Sequence, residues 1–194
     1  MGSGPERGRV DGVTVDQTPQ AQWRASAYLW GRMSAFGLAV AVAACVVDQA
    51  AKFWLLYDFD LARRSPLALT PFIDLDLTFN TGISYGLFPQ QGLVFQGALF
   101  AFKVAAVIFL WVWLTRAPSR LTAAALGLII GGAVGNAIDR WHWPGVMDFV
   151  LFHIDTAGFS FRWYVFNLAD VAIVAGVVGL LYESLWRGDA AKAP

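Results

Sequence analysis

The chain has 194 residues, of which 57% are hydrophobic and 14% are charged, and its formal net charge at pH 7 is zero. Soluble domains contain about 25% charged residues, so this composition predicts a polytopic membrane protein with one domain. A neutral chain without a basic stripe has no electrostatic basis for binding nucleic acid. With one cysteine and two histidines, it cannot form an internal disulfide, nor a zinc site without many carboxylates.

The two ends of the chain differ in composition from the rest. Residues 1–28 are rich in glycine, proline and polar residues and show no hydrophobic periodicity, which predicts a disordered cytoplasmic tail. Residues 188–194 form a short C-terminal tail. Residues 29–187, between the tails, are predicted to form a single membrane domain.

Four segments are long and apolar enough to cross a bilayer, which takes about 20 mostly apolar residues in a helix. They are residues 33–57, 93–114, 121–138 and 169–186. Four crossings place both termini on one side, and the distribution of lysine and arginine favours the cytoplasmic side only weakly. The sequence therefore predicts an all-α polytopic membrane protein with four transmembrane helices.

The connection after the first span has the pattern of a strand. Residues 73–80 alternate apolar and polar side chains, and Asn80, Thr81 and Gly82 supply turn chemistry. We expect a small β-sheet region at about residues 58–92 on the outer face. Short alternating pieces within residues 152–163 are expected to form an interfacial segment on the same face.

An aspartate lies at one end of each of the last two spans, and an asparagine precedes it by three residues. The pairs are Asn136 with Asp139 and Asn167 with Asp170. If these spans are antiparallel neighbours, both carboxylates lie at one face in a partly dry pocket, where like charges prevent both from ionising. Aspartic proteases use this arrangement. Asp148 is the competing acid, but residues 145–149 read as a turn and no matching asparagine precedes it.

Two further polar features can contribute to this pocket. Asp48 and Lys52 are four residues apart in the first span, with the acid before the base, so they share a helix face. They are either a mutually neutralised pair near the interface or part of the lining of a polar pocket. Arg140 follows Asn136 by four residues, which places it on the same side of the third span.

Three other functions are compatible with parts of the sequence. Residues 82–86 match the GxSxG pattern of serine hydrolases around Ser84, with only His142 or His153 available as the base. Residues 42–45 resemble a lipobox ending at Cys45, although the apolar run continues beyond it. The third alternative is a four-span transporter or scaffold whose intramembrane acids form a proton or ion relay, which would require ionisable groups at graded depths.

Four blocks in order resemble the lipoprotein signal peptidases (signal peptidase II). They are Asp48-Gln49-Ala50-Ala51-Lys52, Asn80-Thr81-Gly82, residues 131–149, and Phe166-Asn167-Leu168-Ala169-Asp170. The resemblance implies an aspartic endopeptidase of the bacterial inner membrane, with both termini cytoplasmic and the active site near the outer face. Its substrates would be diacylglyceryl-modified prolipoproteins, cut just before the lipidated cysteine.

The resemblance also implies roles for individual residues. Asp139 and Asp170 match the catalytic pair. The positions that line or brace the pocket are Asp48, Lys52, Asn80, Gly82, Asn136, Arg140 and Asn167. No cofactor or metal is implied, whereas membrane lipid and globomycin-type inhibitors are expected partners. Ile83-Ser84-Tyr85 replaces the usual Ala-Ala-Phe, so altered packing near substrate or inhibitor is expected there.

Overall fold

The computed structural model describes residues 29–81 and 93–190, with side chains for 29–81 and 101–185. The predictions for the tail at residues 1–28, and for Gly82 and Ser84, lie outside the described residues. Five helices are described: α1 (Ser34–Phe53, continued by a π-helical turn at Trp54–Asp58), α2 (Leu61–Arg64), α3 (Leu93–Thr115), α4 (Arg120–His142) and α5 (Leu168–Ala190).

Three stretches of the described chain are long and apolar enough to cross a membrane: Ser34–Asp58, Arg120–His142 and Leu168–Leu185. A shorter apolar stretch, Ala101–Thr115, lies in α3. Many apolar side chains on these helices are exposed, among them Val47 on α1 and Val174 on α5. Such surfaces are expected of a multi-pass membrane protein, whereas the count of four crossings stays a prediction.

Helix α4 is packed between α1 and α5, and adjacent glycines make both contacts possible. A Cβ atom on Gly131 would overlap the carbonyl oxygen of Ala41 in α1, and one on Gly132 would overlap the carbonyl oxygen of Ala169 in α5. Small residues let membrane helices approach to backbone contact. This packing brings the start of α5 against the C-terminal half of α4.

A four-stranded antiparallel sheet follows the order β1 (Leu67–Ala68), β2 (Ile73–Asn80), β3 (Val146–Thr156) and β4 (Phe159–Arg162). The strand predicted at residues 73–80 is therefore confirmed. The β region is larger than the predicted range of about 58–92, because β3 and β4 add residues from the connection between α4 and α5. Their alternating pieces form a hairpin of this sheet.

The predicted turn at residues 145–149 is wrong, because Val146 begins β3. In the β2–β3 register, Asn80 pairs with Val146 and Thr78 with Asp148. All four residues from Val146 to Phe149 are buried, so they show no alternation that would identify a strand. On one side of the sheet, Met147 and Phe149 pack with Leu55 and Leu61 in a small apolar core. This core fixes β3 against the end of α1.

Candidate active site

Asn167 and Asp170 form a capping box at the start of α5. The Asp170 backbone N–H donates to Asn167 Oδ1 over 2.9 Å, and the Asn167 N–H donates to Asp170 Oδ2 over 3.3 Å. This reciprocal pair satisfies backbone donors that the first turn of a helix otherwise leaves free. The spacing of three residues between Asn167 and Asp170 thus has a local structural cause, which holds the Asp170 carboxylate in one orientation.

Asn136 on α4 meets this cap from the neighbouring helix. Its Nδ2 donates to Asp170 Oδ1 over 2.9 Å, and its Oδ1 accepts from Asn167 Nδ2 over 3.0 Å. The structure therefore brings together Asn136, Asn167 and Asp170. Asp170 remains half-buried, so its carboxylate is reachable, whereas Asn167 is fully buried.

Asp148 on β3 joins the same group. Asn167 Nδ2 donates to Asp148 Oδ1 over 2.6 Å, and the Asn80 side chain also hydrogen-bonds the Asp148 carboxyl. Burial, and next the negative charge of Asp170, raise the pKa of Asp148 from 3.8 to about 6, against the opposing effects of both asparagines and Lys52. Asp148 and Asp170 thus form two electrostatically coupled carboxyls that share Asn167.

Asp139 lies in a different environment, where three donors hold its carboxylate. Lys52 Nζ is 2.6 Å from its Oδ2, the Met147 backbone N–H donates to the same oxygen over 3.1 Å, and Gln49 Nε2 donates to Oδ1 over 2.8 Å. Asp139 and Lys52 are both fully buried. Within residues 29–81 and 93–190, no hydrogen bond or ion pair joins Asp139 to Asp170.

Lys52 bridges two carboxylates, because its Nζ is also 2.7 Å from Asp48 Oδ2. The other oxygen of Asp48 accepts the Ala169 backbone N–H over 2.9 Å, so Asp48 on α1 caps the first turn of α5. We call Asp48, Lys52 and Asp139 the ion triad. It ties α1 and α4 to each other and, through Ala169 and Met147, to α5 and β3.

Two further sequence-predicted residues, Arg140 and Asn80, lie next to these groups. Arg140 is exposed, its Nη1 donates to the Asn136 carbonyl over 3.1 Å, and its charge acts on Asp139, Asp148 and Asp170. Asn80 reaches the site from the end of β2. Among the described residues, no cluster of three histidine, cysteine or acidic side chains could hold a metal ion.

Ser84 lies outside the described residues, but both histidines that could act as its base are described. His142 Nδ1 is 3.1 Å from the carbonyl oxygen of Ile138 in its own helix. His153 lies between the carboxylates of Asp74 and Asp155, at 3.2 and 3.0 Å. The Nε2 atom of His153 is buried and makes no hydrogen bond within the described residues, although Asp74 lies within ion-pair distance.

The sequence-based prediction assigned no role to Gln49 and preferred Asp139 to Asp148 as a catalytic acid. The only signal for Asp148 was its position two residues after Val146 in an apolar stretch, which is typical of a buried strand. Gln49 lies in the first of the four blocks that carry the family resemblance, but local spacing could not predict its contacts, because Asp139 and Gly135 are 90 and 86 residues away.

Comparison with known proteins links these features to one family. Residues 40–186 match the family model described as Signal peptidase (SPase) II. A "Lipoprotein signal peptidase" from Nitrobacter hamburgensis is 56% identical over 158 residues, which cover 81% of this chain and 96% of that protein. One from Rhodopseudomonas palustris is 54% identical over the same shares.

Solved structures share the fold. A bacterial membrane enzyme superposes with a TM-score of 0.60 at 22% sequence identity, covering 81% of this chain and 97% of the other. Another structure described in the same words superposes with a TM-score of 0.58 at 21% identity, covering 82% and 92%.

Proposed function

This chain is a member of the signal peptidase II family, and we propose that it is a membrane-embedded aspartic endopeptidase. Its substrates are diacylglyceryl-modified prolipoproteins, and it removes the signal peptide immediately before the lipidated cysteine. The observation that carries the mechanism is the coupled pair of carboxyls, Asp148 and Asp170, held by one asparagine. The relay alternative fits less well, because the acids of the ion triad and of this pair gather at the same end of α4 and α5.

The contacts favour Asp148, in place of the sequence-predicted Asp139, as the partner of Asp170. Asp139 accepts from an ammonium, an amide and a backbone N–H, so its oxygens have little capacity left for a water or a substrate. Asp148 instead has a pKa raised to about 6 beside the half-buried Asp170. The pairing of Asp139 with Asp170 stays a prediction, and the experiment below separates the two assignments.

In the proposed reaction, a water lies between the two carboxyls. The ionised carboxylate of Asp170 takes a proton from this water while the water oxygen attacks the scissile carbonyl carbon. Asp148, protonated, donates a hydrogen bond to the developing oxyanion and then gives its proton to the departing amine as the C–N bond breaks. With a pKa of about 6, ~10% of Asp148 carries a proton at pH 7.

The other polar residues orient this pair. Asn136 and Asn167 fix the Asp170 carboxylate, and Asn80 with Asn167 fixes Asp148. The ion triad joins the helices that carry these groups. Arg140 supplies positive charge near both acids, and the supporting role of Gly82, two residues after Asn80, stays a prediction from the sequence.

The proposal includes the setting of the reaction. The enzyme lies in the bacterial inner membrane with four spans, both termini in the cytoplasm, and the site near the outer face. The acyl chains of the substrate then stay in the bilayer while the peptide bond enters the pocket. No cofactor takes part, and globomycin-type inhibitors are expected to bind at the same site.

Gel-shift cleavage of a diacylated prolipoprotein in detergent tests the function and the assignment together. Wild type is compared with Asp148→Asn, Asp170→Asn and Asp139→Asn, and thermal melting verifies that each variant is folded. We expect no detectable cleavage by Asp148→Asn or Asp170→Asn, and reduced but measurable cleavage by folded Asp139→Asn. Cleavage by Asp148→Asn but not by folded Asp139→Asn would support the sequence-predicted catalytic pair, Asp139 and Asp170. A folded wild-type protein that shows no cleavage would instead support the alternative that the acids form a proton or ion relay.

A further inference from the structure

Gln49 on α1 lies among three hydrogen-bond acceptors. Its Nε2 is 2.8 Å from Asp139 Oδ1, 3.1 Å from the Gly135 carbonyl oxygen and 3.2 Å from Asp48 Oδ2. The two hydrogens of the Gln49 side-chain amide are shared by three acceptors, and the shortest of the three distances is from Nε2 to Asp139 Oδ1. The orientation of the amide follows from this environment, because the opposite flip would place Oε1 against oxygens that cannot donate.

The bond from Gln49 helps to hold the rotation of the Asp139 carboxylate that presents one oxygen to β3. Gln49 holds Oδ1, and Oδ2 accepts from Lys52 and from the Met147 backbone N–H. Met147 is the residue before Asp148, at the second position of β3. A rotation of the Asp139 carboxylate would therefore release the strand next to the catalytic acid.

We infer that Gln49 is a positioning residue for Asp148, acting through Asp139 and the Met147 N–H. This inference rests on the proposed function, since it takes Asp148 as one of the two catalytic acids. Gln49 is half-buried. Within the described part of the chain, it makes no hydrogen bond to Asp148 or Asp170. Its effect is therefore on the turnover step, which depends on sub-ångström placement, and only weakly on substrate affinity.

Two substitutions of similar length separate a hydrogen-bond role from simple packing. Gln49→Met keeps the size of the side chain and removes the donor. Gln49→Glu keeps the shape and can donate to Asp139 only when its carboxyl is protonated. The neighbouring Asp48 and Asp139 carboxylates favour this protonated form, and the Lys52 ammonium that contacts both of them opposes it. Val47→Ala is the matched control, because Val47 is on the same helix and 58% exposed.

Cleavage of a diacylated prolipoprotein is measured as kcat and KM between pH 5 and pH 8, each relative to wild type at the same pH. Gln49→Met should lose on the order of tenfold in kcat at every pH, with KM within about twofold. Gln49→Glu should match Gln49→Met at pH 8 and recover towards wild type at pH 5. Val47→Ala should match wild type throughout.

Two results would overturn the inference. One is a kcat for Gln49→Met within twofold of wild type. The other is an equal, pH-independent loss in Gln49→Met and Gln49→Glu, because that pattern indicates packing alone. If Gln49→Met does not fold, the pH series of Gln49→Glu decides. Full activity of Gln49→Met beside inactive Asp148→Asn removes only this inference, whereas an active Asp148→Asn removes the proposed catalytic pair.

Discussion

Replacing Lys52 by methionine is the sharpest test of how the site is held together. Lys52 is fully buried and its ammonium contacts Asp48 and Asp139 at 2.7 and 2.6 Å. Methionine has a similar length and fills the same space without charge. The substitution therefore leaves two buried carboxylates without their cation.

The expected loss follows from the cost of an unpaired buried charge. Removing one partner of a buried ion pair costs about 3–5 kcal/mol. For a chain of this size each 1 kcal/mol corresponds to ~2–4 °C in Tm, so Lys52→Met should melt about 6–20 °C below wild type. Because the Lys52 charge also lowers the pKa of Asp148, the variant should raise that pKa above its wild-type value.

Thermal melting in detergent measures this loss, with Arg63→Met as the matched control. Arg63 is 3.3 Å from Asp60, but its side chain is 86% exposed, so its pair contributes about 0–1 kcal/mol. A Tm for Lys52→Met no lower than that of Arg63→Met would refute the reasoning. The triple variant Asp48→Asn/Lys52→Met/Asp139→Asn should recover more than half of the lost Tm, because it carries no buried charge at these positions. If it does not, packing rather than charge explains the loss.

Two further predictions concern Asp148 and the glycine contact. The folded-state pKa of Asp148 is raised to about 6 from 3.8, so the native state binds this proton more tightly and stability should fall as pH rises from about 4 to about 6. Chemical denaturation across that range should show a smaller decline in Asp148→Asn, and an equal decline would contradict the burial argument. Gly132→Ala should lower Tm and abolish most cleavage, because the new Cβ meets the Ala169 carbonyl beside Asp170. Gly158→Ala, which meets nothing within 4 Å, should leave both unchanged.

Local signals in the sequence predicted several of the contacts that the structure shows around these polar residues. The Asn-to-Asp spacing at Asn167 and Asp170 is a capping box, whose partners are three residues apart, and Asp48 with Lys52 is a contact of one helix turn. Such features depend on neighbours in the chain, so a pattern reveals them. The strand at residues 73–80 was visible for the same reason, since its two faces alternate in polarity.

The proposed partner of Asp170, Asp148, depends on contacts that no local pattern contains. Asp139 lies near the end of α4 and Asp148 lies beyond it in β3, where pairing with β2 accompanies the contact of Asp148 with Asn167. Lys52, 87 residues before Asp139, binds Asp139 and so places it in the ion triad. Because β3 is buried on both faces at its start, the alternation that would have marked it as a strand is absent.

The side-chain oxygen, the side-chain nitrogen and the backbone N–H of Asn167 all make hydrogen bonds. Its Oδ1 and N–H close the first turn of α5, while its Nδ2 is shared by Asn136, the Met147 carbonyl and Asp148. Unwinding of that turn therefore removes the support of both carboxyls in the same event. Fraying at the N-terminus of α5 would therefore disorder both acids of the proposed catalytic pair together.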